Sequence, residues 1–402
     1  MSFQLSNKRI LLGISGGIAA YKTADWTRAL RQDGAVVTVM MTESAQRFIT
    51  PLTLAALSGN KVHTSMFAIA DDERLPHIAL GRDCDLILLA PATANTIARL
   101  AHGLTDDLVS AVVLAAQAKV LICPAMNGVM YRHPATTHNI ARLKEYGYTV
   151  IPPACGELAC GDQGPGRLAE WETVRQEIIA AITPQDLQGK KIMVSAGPTW
   201  EALDPVCLLT NRASGKMGYA LAAAARRRGA EVIMVSGPSS ITPPFGVKVV
   251  SVVSAREMHA AIRQWATAMD VIIMAAAVSD YRPSRYEPHK IKKGVTDTSL
   301  PLTANPDILR ELGEQKKDTR CAPLLVGFAA ESLDHLEEGR RKLTDKKLDL
   351  IAINDIKAED AGFAGDNNRV TLLDCHGTVE EMPLLSKEEV AHRILNAILR
   401  QL

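Results

Sequence analysis

The stretch GISGGIAAYK (13–22) places glycines where an apolar run gives way to a helix-like segment, so backbone N–H groups around Ser15, Gly16 and Gly17 could approach a phosphate or flavin at a positive helix end. Its Gly-Ile-Ser-Gly-Gly order departs from a GxGxxG fingerprint, and a tight turn is the competing reading. In APATANTIARLAHGLTDDLVS (90–110), Thr93, Asn95 and Ser110 fall at helix starts, where capping alone would account for Thr93. Asn127 in PAMNGVMY (124–131) could cap the next helix or hold a carboxylate. His77 stands shortly before an apolar run, and a lone histidine is more often structural than catalytic.

The stretch CGELACGDQGPGR (155–167) holds two cysteines and four glycines with no periodicity of helix or strand. Zinc would need about four ligands in paired spacings, and Cys155-x4-Cys160 lacks a second pair. A phosphate cradle would need a helix directly after the glycines, which RLAEWE delays. A glycine-hinged flap that closes over a substrate remains.

Later in the chain, AAAVSDYRPSRYEPHKIKK (275–293) sets Asp280 at the end of an apolar run, before a loop with Lys290, Lys292 and Lys293. Such a basic loop is usually only solvated. ANPDIL (304–309) offers Asn305 as an N-cap with Pro306 at the first helical position, aiming N–H groups at a possible triphosphate. Lys342 and Lys346 are one helical turn apart on one face. TNRASGKMG (210–218) lacks Walker A spacing and reads equally as an ordinary strand–loop–helix.

These residues follow short apolar runs. RILLGI (9–14), AVVTVMM (35–41), CDLILLA (84–90), KVLICPA (119–125) and YTVIP (148–152) alternate with amphipathic stretches such as 19–31 and 134–146, and a helix over 171–182 closes the series. After the linker-like TPQDLQGKK (183–191), a second series begins with IMVSAG (192–197) and runs to LDLIAIN (348–354). Alternation of this kind predicts an α/β fold of two tandem doubly wound Rossmann-like domains, 1–190 and 191–402, with ligands bound at the carboxyl ends of the strands.

A length of 402 residues suits two cores. Forty-five basic against 44 acidic residues leave a formal net charge of +1, with no global field to draw nucleic acid or an anionic membrane. No stretch approaches the roughly 20 apolar residues of a membrane span. Seven scattered cysteines, an odd number, point to free thiols in a reducing, cytoplasmic setting.

Together, Ser15-Gly16-Gly17, His77, PAMN (124–127) and ACGDQGPGR (159–167) resemble the flavin-dependent cysteine decarboxylases. They closely resemble the phosphopantothenoylcysteine decarboxylase half of bifunctional coenzyme A biosynthesis proteins. The resemblance implies a flavodoxin-like FMN domain that oxidises a cysteinyl thiol to a thioaldehyde, releases carbon dioxide and reduces the resulting enethiolate. By resemblance Ser15, Gly16, Gly17, Thr42, Thr93, Asn95 and Ser110 line FMN. His77 assists oxidation, Asn127 holds the substrate carboxylate and Cys160 donates a proton. A thiol with a pKa of about 8.5 is largely protonated at neutral pH and suits that last task. Cys155 lies outside the pattern.

Residues 192–402 resemble the phosphopantothenate–cysteine ligase half of the same proteins. There CTP activates a carboxylate as an acyl-cytidylate, and cysteine displaces CMP. The resemblance assigns CTP to Met274, Ala275, Ala276, Asp280, Lys290, Pro306, Asp307, Ile308, Leu309, Phe328, Lys342 and Lys346. Lys290 also stabilises charge in acyl transfer, and Asn211 holds the acyl-cytidylate. Mg²⁺ is expected mainly on the CTP phosphates, with no protein ligands identified. Cys207 stands where the family often has arginine, so that role falls to a neighbour such as Arg212 or the ligase is weakened. The implied partners are 4′-phosphopantothenate, L-cysteine and CTP, and the implied assembly is a dodecamer with trimeric decarboxylase and dimeric ligase contacts. A non-catalytic flavin-binding regulatory or assembly subunit is the alternative, and an NAD-linked reductase lacks its GxGxxG.

Overall fold

Apolar runs such as RILLGI and LILLAPA are buried almost throughout, as strands covered by helices on both faces must be. The computed structural model describes residues 5–67, 75–157, 161, 163–292, 299–316, 322–331, 335–355 and 365–402. Contacts divide the chain into two compact units, Met1–Pro184 and Gln185–Leu402.

In the first unit β1 (Arg9–Ile14), β2 (Val36–Met41), β3 (Val62–His63), β4 (Leu86–Ala92), β5 (Lys119–Pro124) and β6 (Thr149–Val150) form one parallel sheet in the order 3-2-1-4-5-6. Without the two-residue edge strand β3, the order is the flavodoxin-like 2-1-3-4-5. The helices are α1 (Thr23–Gln32), α2 (Pro51–Ser58), α3 (Pro76–Arg82), α4 (Ala94–His102), α5 (Leu108–Ala115), α6 (Gly128–Arg132) and α7 (Pro134–Glu145). Alternation along β1 feeds two cores. Ile10, Leu12 and Ile14 pack with Trp26 and Leu30 on one face, whereas Leu11 packs with Ile97 and Val112 on the other.

The glycine-rich stretch differs from its sequence reading. It folds as an antiparallel hairpin, β7 (Ala154–Glu157) with β8 (Gln163–Arg167), before α8 (Trp171–Ile182). Gly156, Gly164 and Gly166 take φ of 152°, 158° and 144°, so glycine conformations build these strands where β-branched side chains would normally announce them. Cys160 lies outside the described residues.

The linker-like segment is fastened to the second unit. Leu187 is fully buried, and Asp186 pairs with Arg228 at 2.7 Å. Along this unit run β9 (Lys191–Ala196), β10 (Trp200–Ala202), β11 (Leu208–Thr210), β12 (Glu231–Ser236), β13 (Lys248–Ser251), β14 (Val271–Met274), β15 (Tyr281–Pro283), β16 (Leu302–Ala304), β17 (Leu324–Glu331), β18 (Leu350–Asp355), β19 (Asn367–Asn368), β20 (Val370–Asp374), β21 (Val379–Glu381) and β22 (Leu385–Ser386). Its main sheet has the order 13-12-9-14-17-18-20-21. The sheet is parallel from β13 to β18, then antiparallel through β20 and β21, an edge beyond the predicted strands. Helices α9 (Lys216–Arg227), α10 (Ala255–Trp265), α11 (Ile308–Gln315), α12 (His335–Asp345) and α13 (Lys387–Leu399) complete the unit.

Helix α11 begins later than Asn305 and Pro306 predict. Its N-cap is Asp307, whose carboxylate accepts the Arg310 N–H at 3.1 Å. Asn305 is occupied elsewhere, donating from its side-chain amide to Ser279 O at 2.8 Å and accepting from Arg282 at 3.0 Å. Among the described residues no helix is long and apolar enough to cross a membrane.

Candidate active sites

In the first unit the loops after β1 and β4 separate at the switch point of the sheet. Ser15 joins them from below. Its buried Oγ donates to Pro91 O at 2.7 Å and accepts the Thr93 N–H at 2.9 Å. That hydroxyl proton is committed, so Ser15 shapes the site from beneath. Thr93 caps α4, accepting the Thr96 N–H at 3.3 Å. Gly16 is required by space, because a Cβ there would lie 2.3 Å from Ser44 Cβ. Thr42 holds the facing turn, donating its N–H to Ile14 O at 3.0 Å and accepting the Ala45 N–H on its hydroxyl at 3.2 Å.

A cleft of about 800 Å³ opens above, lined by Gly16, Gly17, Thr93 and Asn127 among the expected residues. Asn127 caps α6, its Oδ1 accepting the Val129 N–H at 2.8 Å. Beside it the Met126 N–H donates to Gly166 O at 3.0 Å, docking the hairpin onto the PAMN loop. Other expected residues do not line this cleft. Asn95 is exposed on α4, Ser110 donates its hydroxyl to Asp107 at 2.9 Å at the start of α5, and His77 sits in the first turn of α3 with a buried, unpartnered Nδ1. Lys22, Met126, Met130, Glu157 and Arg167 line the cleft without having been singled out. Lys22 closes the GISGGIAAYK motif, and that position was its one signal.

The second cleft, about 450 Å³, lies at the carboxyl ends of β9 and β14. The glycines of its ASGKMG loop permit close approach: Gly215 is left-handed at φ 85°, and a Cβ on Gly218 would lie 2.6 Å from that of Ala196. Asn211 ties this loop to the strand end, donating to Ala277 O at 3.0 Å, and Ser195 Oγ accepts the Ala276 N–H at 3.1 Å. Asn211, Ala275, Ala276, Asp280, Phe328 and Lys342 line the cleft together.

Met274 is instead core, and Ile308 is buried at the start of α11. Asp307 and Lys346 form an ion pair at 2.9 Å, while Lys290 stands on an exposed loop. Pro306 and Leu309 flank these positions without lining the cleft. Lys216 and Lys387 were not expected: Lys216 opens a helix within TNRASGKMG, which reads equally as an ordinary strand–loop–helix, and Lys387 opens one in an unremarked stretch. Burial lowers the Lys387 pKa, with the nearby Lys216 charge acting in the same direction. Among the described residues, no group of three His, Cys, Asp or Glu is placed to hold a metal ion.

Residues 2–183 match the Flavoprotein family model, and residues 187–402 match the DNA/pantothenate metabolism flavoprotein C-terminal domain. The chain is 47% identical over 398 residues to the coenzyme A biosynthesis bifunctional protein CoaBC of Vibrio vulnificus (strain CMCP6), covering 98% of each. It is 46% identical over 398 residues to the protein of that name from Bacillus subtilis (strain 168), covering 98% of this chain and 97% of the relative. A crystal structure of the C-terminal domain of such a protein is 42% identical, covering 54% of this chain and 97% of that one with a TM-score of 0.46. With both halves matched in order and almost end to end, the chain belongs to the family of coenzyme A biosynthesis bifunctional proteins.

Proposed function

We propose that this bifunctional enzyme of coenzyme A biosynthesis ligates cysteine to 4′-phosphopantothenate with CTP in its second unit and decarboxylates the product in its first. The observation that carries this reading is the pair of clefts, each at the carboxyl ends of parallel strands and each gathering residues expected for its half-reaction. In the second unit the substrate carboxylate attacks the CTP α-phosphorus, expelling pyrophosphate. The cysteine amine then attacks the acyl carbon, expelling CMP. Lys216, Lys342 and Lys387 bring positive charge to the cleft where phosphates would gather negative charge. Asn211, fixed to Ala277 O, orients the acyl-cytidylate. Mg²⁺ travels with the CTP phosphates, a reading compatible with the sparse carboxylates of this cleft.

In the first unit the Gly16 cradle leaves room for backbone to approach FMN, with Thr42 and Thr93 on its flanks. When bound, the flavin supplies a two-electron oxidation of the cysteinyl thiol and its return. Asn127 orients the carboxylate to be lost and Cys160 supplies the proton that completes the product, while His77, outside this cleft in the single chain, assists thiol oxidation from a neighbouring copy of the proposed trimer. Exposed Leu75, Ile78 and Leu114 support self-association of this unit, and exposed Val206, Leu208 and Tyr286 that of the other. Trimeric and dimeric contacts of these kinds would build the dodecamer. Free thiols suit the reducing cytoplasm.

Purified protein should be yellow and release pyrophosphate from CTP only when phosphopantothenate is present, with carbon dioxide following once cysteine is added. A colourless protein unable to take FMN would refute the first half, and failure to release pyrophosphate the second. Asn127→Asp separates capping from substrate binding. Its carboxylate still caps α6 but repels the substrate carboxylate, so about wild-type stability should accompany a roughly 100-fold loss of decarboxylation. Unchanged turnover of supplied phosphopantothenoylcysteine would return Asn127 to a purely structural role.

A further inference from the structure

The Leu203–Cys207 turn and the 287–292 loop are distant in sequence and clasped by one carboxylate. Asp204 is 3% exposed. Its Oδ1 accepts the N–H groups of Val206 and Cys207, each at 2.7 Å, and its Oδ2 accepts that of Ile291 at 3.0 Å. The Glu287 N–H donates to Leu203 O at 2.9 Å, making a second strap between the segments. The Leu203 and Asp204 N–H groups close the turn on Cys207 O at 3.0 and 3.3 Å. These amides hold the Asp204 carboxyl below its usual range, Ile291 most strongly, then Cys207 and Val206, with the Lys290 charge adding to them.

We propose that Asp204 is the positioning residue for Lys290, an inference that rests on Lys290 acting in acyl transfer. Lys290 immediately precedes the amide that Asp204 grips. A lysine on an exposed loop has a long, freely rotating stem, and it can deliver its ammonium to one place only if its own backbone is fixed. Among the described residues, the Ile291 amide and the Glu287 amide are the points that tie this loop to the turn. The Cys207 N–H donates to the other oxygen of the same carboxylate, so one buried group sets the spacing between the Lys290 loop and the Cys207 turn.

Asp204→Asn isolates the clasp. Its amide oxygen still accepts from Val206 and Cys207, but its NH₂ meets the Ile291 N–H donor to donor and frees the loop while leaving the turn. In the full-length protein, this change should lower kcat for cysteine-dependent CMP release about 10–100-fold with the CTP KM unchanged. Lys290→Gln should lower it at least as far. Adding Asp204→Asn to Lys290→Gln should then cost less than about twofold more, because a positioning residue has nothing left to position. Additive losses, or an unaffected Asp204→Asn beside an impaired Lys290→Gln, would overturn the positioning role and leave the Lys290 reading standing. An unaffected Lys290→Gln would instead overturn that reading and this one with it. Hydrogen exchange of the wild-type protein gives a test independent of any variant's folding: the Ile291 amide should be protected, and exchange at the rate of a free loop would remove the clasp.

Discussion

Gly16→Ala should yield a colourless protein whose ligase still works. The new Cβ would stand 2.3 Å from Ser44 Cβ and 2.8 Å from Ser44 backbone carbon, separations that no folded protein sustains. Ser44 cannot easily retreat. The turn that carries it is pinned by the Thr42 N–H on Ile14 O at 3.0 Å and by the Ala45 N–H on Thr42 O at 3.1 Å. Relief must come from the Ser15–Ile18 loop moving outward, into the space proposed above for the flavin. A displacement near 1 Å should cost FMN at least 100-fold in affinity, about 2.7 kcal/mol. Gly17→Ala is the matched control. Its Cβ meets only Thr93 Cγ2, at the ordinary contact distance of 3.7 Å, and its φ of −146° suits any residue. The measurements are the flavin absorbance of the purified variants, an FMN titration and pyrophosphate release from CTP. A Gly16→Ala protein with wild-type FMN affinity would show that the cradle holds something else.

The parallel sheets were readable because their strands are apolar on both faces, and the capping roles of Thr93 and Asn127 because side-chain oxygens before helices have few competing uses. The hairpin around Gly156 and Gly164 escaped notice for the opposite reason: its strands depend on glycine backbone conformations and carry no alternation of side chains. Asn305 misled because the capping preferences of Asn and Asp are alike, and only tertiary partners, Ser279 and Arg282, decide that Asp307 takes the cap. Lys216 and Lys387 were invisible as a pair. They are 171 positions apart, and only the fold brings α9 and α13 to one cleft. The Asp204 clasp joins residues 87 positions apart, and no local pattern encodes it.

Cys160→Ser and Lys290→Gln should stop the same chain at different points, with the largest effects of any conservative changes. The strands framing Cys160 are held in register, Cys155 opposite Pro165 and Glu157 opposite Gln163, and the hairpin is docked beside Asn127 through Gly166 O. Serine has nearly the size of cysteine but is a far weaker acid, so the final protonation should slow by about 10²–10⁴ while substrate oxidation and carbon dioxide loss continue. Cys160→Ser should accordingly release up to one equivalent of carbon dioxide per site and accumulate the oxidised enethiol product, whereas Cys155→Ser, altering an exposed bystander, should turn over normally. Lys290→Gln should release no carbon dioxide from phosphopantothenate, cysteine and CTP, yet decarboxylate supplied phosphopantothenoylcysteine at the wild-type rate. Mixing the two variants discriminates further. The ligation product of Cys160→Ser protein is a free small molecule that Lys290→Gln protein can finish, so an equimolar mixture should regain 4′-phosphopantetheine synthesis that neither variant achieves alone. Equal losses at both steps in both variants, or a mixture as inactive as its parts, would mean that the two clefts do not work as separate sites.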